Sequence, residues 1–438
     1  MLEPRKISGF ADYTEAQNAA LSRWIRSVEE TFRLYGFTRL IPRPLELRTV
    51  LTSRGGIEKQ IFGVSRLPDD KPTELALPFD RTVPLAHWVA LNAGDLAFPY
   101  KRYDVSYSFR GERAQAGRFQ GFFQADVDII GLNQLDLNAD SECIAVLYEA
   151  LKTLSLGEVT IALNHIRLAK ALLAGMGVAE KAVPEALRAL DKLEKQGAEE
   201  TAKELATLAG LDAAAASAIV ETFGYQDALG GFVSSVKSEE YEKGMEELRT
   251  VWDGLRSLGV PDAALSFRPG VVRGLDYYTG VVFECVLTGR EEFGSIAGGG
   301  RFDDLASTFS KLKLPGVGGS IGLSRLFDAA CKSGLLKLES RTEAQAFVGF
   351  RTPEQKPLAQ AVARALRGRG VCVDLFAGKA NGVGKQLAYA GKKGLPVAVM
   401  VMDEQSIVVR DLLKSEQKDV PTLEEALASA GALLRARP

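Results

Sequence analysis

The chain has little of what builds a metal centre. Its 438 residues include only two histidines, His87 and His165, and four scattered cysteines, Cys143, Cys285, Cys331 and Cys372. No two cysteines stand at CxxC spacing, which argues against a structural zinc site. Scattered free thiols suit a reducing compartment, so a cytoplasmic protein is expected. Apolar runs long enough to span a bilayer are missing, and the first nine residues lack an apolar signal core, so no membrane partner is expected. An excess of either charge is missing too: 54 Lys and Arg stand against 56 Asp and Glu, for a net charge of -2. This excludes attraction of the whole molecule to nucleic acid and leaves only local patches for RNA. Internal repeats and low-complexity tracts are absent. What remains, 46% hydrophobic and 25% charged residues, is ordinary for a soluble globular chain of two to four domains.

Periodicity predicts an amphipathic helix over 13–36, where Leu21, Trp24, Ile25, Val28 and Phe32 fall at helical spacing and Gly36 marks a stop. An extended segment follows over 37–45, broken by Pro42 and Pro44. Residues 96–131 read as strands on either side of a charged hairpin loop at 111–117. From about 166 to 260, Ala, Leu, Lys and Glu dominate, which predicts an inserted helical module. Strand composition returns at 264–287 and 296–321. The last unit alternates strand 344–350, helix 353–367, strand 371–376, helix 384–393 and strand 396–402, the pattern of a small α/β domain. Residues 341–438 carry 15 Lys and Arg against 10 Asp and Glu, an excess that suits either an RNA contact or a solvated face.

Four segments carry candidate chemistry. In Arg273-Gly-Leu-Asp-Tyr-Tyr-Thr-Gly280, a donor fork and two phenols lie between apolar flanks, a set able to hold a small flat polar molecule beside an anion; a buried strand is the bland alternative. In Phe109-Arg-Gly-Glu-Arg113, Arg110 ends a strand. On the return strand Phe122, Gln124, Asp126 and Asp128 share one parity, so one sheet face gathers an aromatic, an amide and two carboxylates, more like a pocket floor than a solvated face. In Gly316-Val-Gly-Gly-Ser-Ile-Gly-Leu-Ser-Arg325, small residues allow a strand and a helix to approach closely. In Leu77-Pro-Phe-Asp-Arg-Thr-Val-Pro84, Asp80 offers a carboxylate to an ammonium.

Taken in order, these segments resemble those of histidyl-tRNA synthetases, class II aminoacyl-tRNA synthetases, along nearly the whole chain. The resemblance implies an α+β fold: an antiparallel-sheet catalytic core over 1–165 and 261–335, a helical insertion over 166–260 and a C-terminal α/β anticodon-binding domain over 343–438. It implies that Arg110 holds the α-phosphate of ATP and the amino-acid carboxylate, that Glu112 reads the adenine, and that Phe122 stacks on it. Arg118 of the hairpin loop would join the ATP-binding set, and Arg325 would cap the adenine and reach the γ-phosphate. Asp80, Thr82 and Gln124 would hold the substrate ammonium, Arg273 the α-phosphate and carboxylate, and Tyr278 with Asp128 the imidazole. Tyr277, Gly299 and Gly300, the last two within Gly298-Gly-Gly-Arg-Phe-Asp303, would shape the pocket. Arg110 and Arg273 would then be catalytic.

The implied reaction has two steps: histidine and ATP give histidyl-adenylate and pyrophosphate, and the terminal ribose of tRNA(His) then takes the histidyl group. Magnesium would bridge phosphate oxygens, held mostly by ATP with Glu112 or a nearby acid, and no protein metal site is assigned. The family is homodimeric, so a homodimer is expected. Phe-Asp-Arg-Thr-Val-Pro and Tyr-Tyr-Thr-Gly-Val-Val look more like the eukaryotic and archaeal branch. Two departures stand out. Arg43 occupies a position where the family has Pro, and Pro78 one where it usually has Arg. A rival is the family's non-catalytic paralogue, a regulatory subunit of histidine biosynthesis, which usually erodes the motif arginines and lacks the anticodon-binding unit.

Overall fold

The computed structural model describes residues 2–53, 58–67, 73–113, 119–272, 277–338, 340–379 and 382–435. The chain divides into two compact units, Met1–Ala11 with Trp24–Leu336 and Asp12–Arg23 with Lys337–Pro438. The first helix, Glu15–Leu34, ends where Gly36 takes a positive φ of 76°. Of its apolar stripe, Leu21, Trp24, Val28 and Phe32 are buried and Ile25 is half-buried; Trp24 meets Phe327 edge-on at 5.3 Å, and Phe32 lies 5.6 Å from Tyr103.

The larger unit contains β1 (Thr38–Arg39), β2 (Glu46–Leu47), β3 (Gly63–Val64), β4 (Leu75–Ala76), β5 (Tyr100–Phe109), β6 (Gly121–Ile130), β7 (Val159–His165), β8 (Leu265–Phe267), β9 (Val281–Leu287), β10 (Ser295–Phe302) and β11 (Gly316–Ile321). Eight of them form one sheet in the order β1-β5-β6-β11-β10-β9-β7-β8. Its six central strands are antiparallel, and β1 and β8 add parallel edges. The α+β class read from the sequence holds. β2, β4 and β3 make a small separate sheet.

Strand alternation divides the large sheet into two unlike faces. One presents Val105, Ala125, Val127, Ile129, Val317 and Phe283, all buried, and the helix Asn138–Thr153 packs on it through Ile144, Leu147 and Leu151. Each such fully buried aliphatic side chain stabilises the fold by about 1.5–3 kcal/mol. The other face carries the polar residues of β5, β6 and β11. Between β7 and β8 lies the helical module, from Ile166–Gly175 to Glu239–Ser257. It is tied back by His165, which accepts from Arg167 N through Nδ1 and meets Glu247 Oε2 through Nε2 at 2.7 Å.

The smaller unit contains β12 (Ala346–Phe350), β13 (Val373–Leu375), β14 (Val397–Asp403), β15 (Ser406–Asp411) and β16 (Gln417–Val420) in the order β13-β12-β14-β15-β16. Ala346, Val348 and Phe350 point to a core closed by the helices Lys356–Gly368 and Leu423–Arg435. Phe347 points the other way, toward a core that includes Ala390 of the helix Val383–Lys392. The elements expected over 344–402 appear with ends moved by at most three residues. The hairpin partner β16, with Gln417, Lys418 and Asp419 exposed, has no apolar alternation to reveal it.

Candidate active site

Direct cross-strand partners line up the polar face. Across β5 and β6, Arg102 faces Asp128, Asp104 faces Asp126 and Ser106 faces Gln124. Across β6 and β11, Asp128 faces Gly318 and Asp126 faces Ser320. The shared parity of Gln124, Asp126 and Asp128 is therefore real, and the surroundings are nearly dry: Arg102 is 1% exposed and Asp128 2%. Arg102 Nη2 approaches Asp128 Oδ2 at 2.6 Å, but the contact lacks hydrogen-bond geometry, so that oxygen still has no hydrogen-bond donor. Arg81 Nε donates to Asp104 Oδ2 at 2.8 Å, and Ser106 Oγ donates to the same oxygen at 3.0 Å. Two buried acceptors thus stay unfilled on one strand face, Gln124 Oε1 and Asp126 Oδ1, and Asp128 Oδ2 has only its ion pair with Arg102. Buried polar atoms are nearly always paired, so this row is built for a ligand rich in donors.

Burial raises the pKa of both carboxyls, Asp126 to about 7 and Asp128 to about 6, with Arg102 opposing the rise. A carboxyl raised in the folded state contributes stability that is complete at acid pH and lost as pH rises through those values. The ligand-free protein should therefore lose melting temperature between pH 5.5 and 8 on their account. Asp126→Asn should be more stable than the natural protein at pH 8 by a few degrees, and calorimetry at the two pH values checks this; equal melting temperatures at pH 8 would remove the argument.

Arg110 follows β5 directly. Its guanidinium lies 4.7 Å from the Phe79 ring centre and 5.1 Å from that of Phe122, and its Nε donates to Phe79 O at 3.4 Å. Pro78, where a second arginine was expected by likeness, accepts Phe109 N at 2.9 Å, so that position serves the strand end. Asp80 caps the helix Thr82–Asn92, accepting Thr82 N at 3.1 Å and Val83 N at 2.9 Å. Burial raises its pKa, opposed by those two N–H groups and by Arg110. Burial also raises the Tyr277 phenol far above its ordinary range; its hydroxyl bonds Tyr278 and Thr82 and feels Asp80. The two tyrosine rings stand 4.6 Å apart. Both are outside any strand, since β9 starts only at Val281; the bland reading of this run as a strand fails for them.

Glycine makes the floor. Gly318 and Gly300 are cross-strand partners lying in the row Arg102, Asp128, Gly318, Gly300, Val282, Asn164. A Cβ on Gly318 would overlap the Asp128 carboxylate, and one on Gly300 would meet Val281 O at 2.7 Å and the Tyr278 ring at 2.8 Å. The acid and the phenol thus flank a trough that only glycine leaves open. Gly299 is out of phase: its Cβ would overlap the carbonyl oxygen of Gly318. It allows β10 to approach β11 instead of lining the trough, a correction to its reading as a pocket residue.

Arg273 and Arg118 lie outside the described residues, as does most of the hairpin loop between β5 and β6. Arg325 is exposed on the helix Leu323–Lys332, and its Nη2 donates to Phe293 O at 3.4 Å; no contact joins it to Arg110. Glu112 stays close enough to Arg110 for its charge to be felt there. Arg43, in place of a proline, binds the buried Glu46 at 2.8 Å, which also meets His87 Nδ1 at 3.2 Å. Sequence reasoning missed three supports: Arg102, Arg81 and Asn164, whose Nδ2 holds Pro269 O at 2.7 Å and Val271 O at 3.0 Å just before the 273–280 run.

Residues 9–326 match the family described as histidyl-tRNA synthetase, and residues 345–428 match an anticodon binding domain. The chain is 35% identical to a histidine–tRNA ligase of Stenotrophomonas maltophilia over 96% of each chain. It is 33% identical to one of Clostridium tetani over 98% of each. Among solved structures, a histidyl-tRNA synthetase from Nostoc sp. PCC 7120 matches with a TM-score of 0.89 and 30% identity over the full length of both chains. An ATP phosphoribosyltransferase regulatory subunit/histidyl-tRNA synthetase from Bacillus halodurans shares the fold, with a TM-score of 0.73 at 23% identity over 91% of this chain and 98% of that one. These relatives are bacterial, which withdraws the eukaryotic and archaeal affinity read from the short motifs.

Proposed function

The chain belongs to the histidyl-tRNA synthetase family, and on that footing we propose how its own residues carry the family's reaction. It is an ATP-dependent ligase that joins histidine to tRNA. The histidine carboxylate attacks the α-phosphorus of ATP in line and pyrophosphate leaves. The terminal ribose hydroxyl of tRNA(His) then attacks the activated carbonyl, and AMP leaves. No side chain needs to be a nucleophile, because positioning and charge neutralisation lower the barrier.

The row of unfilled acceptors on β6 carries this reading. Histidine brings complementary donors, an ammonium at one end and an imidazole N–H at the other. Gln124 and Asp80, with Thr82, receive the ammonium; Asp128 and Tyr278 read the two imidazole nitrogens across the glycine floor. Tyr277 backs the slot. Arg110 forks onto the α-phosphate and carboxylate, with Arg273 opposite. Phe122 stacks on the adenine, Glu112 reads its edge, and Arg118 and Arg325 hold the outer nucleotide. Magnesium arrives as part of the substrate on the ATP phosphates. Among the described residues, no group of three His, Cys, Asp or Glu side chains is disposed to hold a metal.

The working division is a catalytic core over 1–165 and 261–335, a helical insertion over 166–260 and an RNA-reading unit over 343–438. The enzyme works as a cytoplasmic homodimer, and four free cysteines accord with that compartment. ATP–pyrophosphate exchange tested across the amino acids should respond to histidine alone. A chain that exchanged with none would be the non-catalytic rival. In the smaller unit, Lys379 and Lys385 are exposed. Reversing both, Lys379→Glu with Lys385→Glu, should cut tRNA charging about ten-fold or more at low salt through lost phosphate contacts, with the deficit narrowing as salt rises, and spare exchange. Unchanged charging would show that RNA is read elsewhere.

A further inference from the structure

Gln124 offers an amide whose two ends are chemically opposite. Its Nε2 donates to Ser320 Oγ at 2.8 Å, while its Oε1 is buried without a hydrogen-bond partner. Ser320 stands directly across the β6–β11 ladder from Asp126 on the same sheet face, where its hydroxyl favours the ionised carboxylate. A hydroxyl has one proton to give. Given to an ionised Asp126, it leaves only lone pairs for Gln124. The amide must then turn its NH2 toward Ser320 and its oxygen toward the trough. Donation therefore runs one way, from Gln124 to Ser320 to Asp126.

We propose that Ser320 and Asp126 are positioning residues that hold the Gln124 amide with its carbonyl oxygen facing the substrate ammonium. This rests on the assignment of Gln124 to the histidine site. Neither residue touches a reacting atom. The chain of donation is reversible: a protonated Asp126 donates to Ser320, Ser320 then donates to Gln124, and the amide turns its NH2 into the trough. An ammonium meeting that NH2 faces donor against donor. Ionisation of Asp126 is contested on every side. Arg102 favours it from β5 and Arg110 from the end of that strand; Asp104 on β5 and Asp128 on β6 oppose it. Burial raises its pKa to about 7, so reversal falls near neutral pH. A bound ammonium adds a cation that favours the carboxylate, so protons and histidine compete.

The test is KM for histidine and for ATP in pyrophosphate exchange between pH 6 and 8. Ser320→Ala should raise KM for histidine about ten-fold at pH 8, the loss of one oriented hydrogen bond to a charged group, without a matching rise for ATP. Ser320→Thr, which keeps the hydroxyl, should restore it. Asp126→Asn can give or take a hydrogen bond, so direction is no longer imposed; histidine should bind more weakly, and the added weakening below pH 7 should disappear. Histidine KM values and pH profiles equal to the natural enzyme in both Ser320→Ala and Asp126→Asn would overturn the relay. Equal rises for histidine and ATP would overturn it too, as the mark of a merely structural role. Gln124→Ala separates the layers. If it raises KM for histidine while the other two variants do not, the relay alone falls; if it leaves KM unchanged, the assignment of Gln124 falls with it.

Discussion

Arg110→Ala should abolish histidine-dependent pyrophosphate exchange, lowering kcat/KM by about 10³-fold or more, the scale set by removing a preorganised cation from a phosphoryl centre. Its guanidinium is clamped between two aromatic rings and by one carbonyl, and so is oriented before any substrate arrives. That orientation is what a trigonal phosphoryl group and a carboxylate require at once. Loss of the side chain should not unfold the protein. Asp80, the nearest carboxylate to lose a cation, keeps its two backbone donors. Arg110→Lys should be intermediate, because a point charge keeps the attraction and loses the fork. The measurement is exchange over a range of ATP and histidine concentrations, with the melting temperature as a check of folding. Exchange within a few-fold of the natural enzyme would take the reaction away from this arginine.

Much of this site could be read from the sequence because strand alternation is a rigid rule. Gln124, Asp126 and Asp128 had to share a face, and Arg110 had to sit at the strand end. The same rule misled where both faces are covered. Arg102 and Asp104 alternate with Tyr103 and Val105 as solvent-facing residues do, yet they are buried because Arg81, from a distant turn, neutralises Asp104. Pairing across 23 residues leaves no local signal. Glycine phase was equally hidden: Gly298, Gly299 and Gly300 look equivalent in the sequence, and only their register against β11 shows that Gly300 lies in the row of Asp128 and Gly318 while Gly299 lies on the opposite face. The two supports of Gln124 come from different segments, one on β6 and one on β11, so their pairing needed the ladder itself.

That phase difference yields the second large effect. In Gly318→Ala the new methyl would overlap Asp128 Oδ1 and lie 2.8 Å from its Cγ, while the nearest backbone atom, Val127 O, is 3.1 Å away. The carboxylate must move, and Arg102 beside it at 2.6 Å resists the move. The side chain that should read the imidazole is displaced, so KM for histidine should rise about 10²-fold, the scale on which a site loses an analogue whose polar group it can no longer pair. KM for ATP should change far less, because Arg110 and Phe122 lie toward the other end of the strand pair. Gly299→Ala should behave oppositely. Its methyl would meet the backbone of β11, which no rotamer can relieve, so the protein should lose melting temperature or fail to fold. Gly94→Ala, where a Cβ meets nothing within 4 Å, is the neutral control. If Gly318→Ala bound histidine normally, the trough between Asp128 and Tyr278 would not be where the imidazole lies.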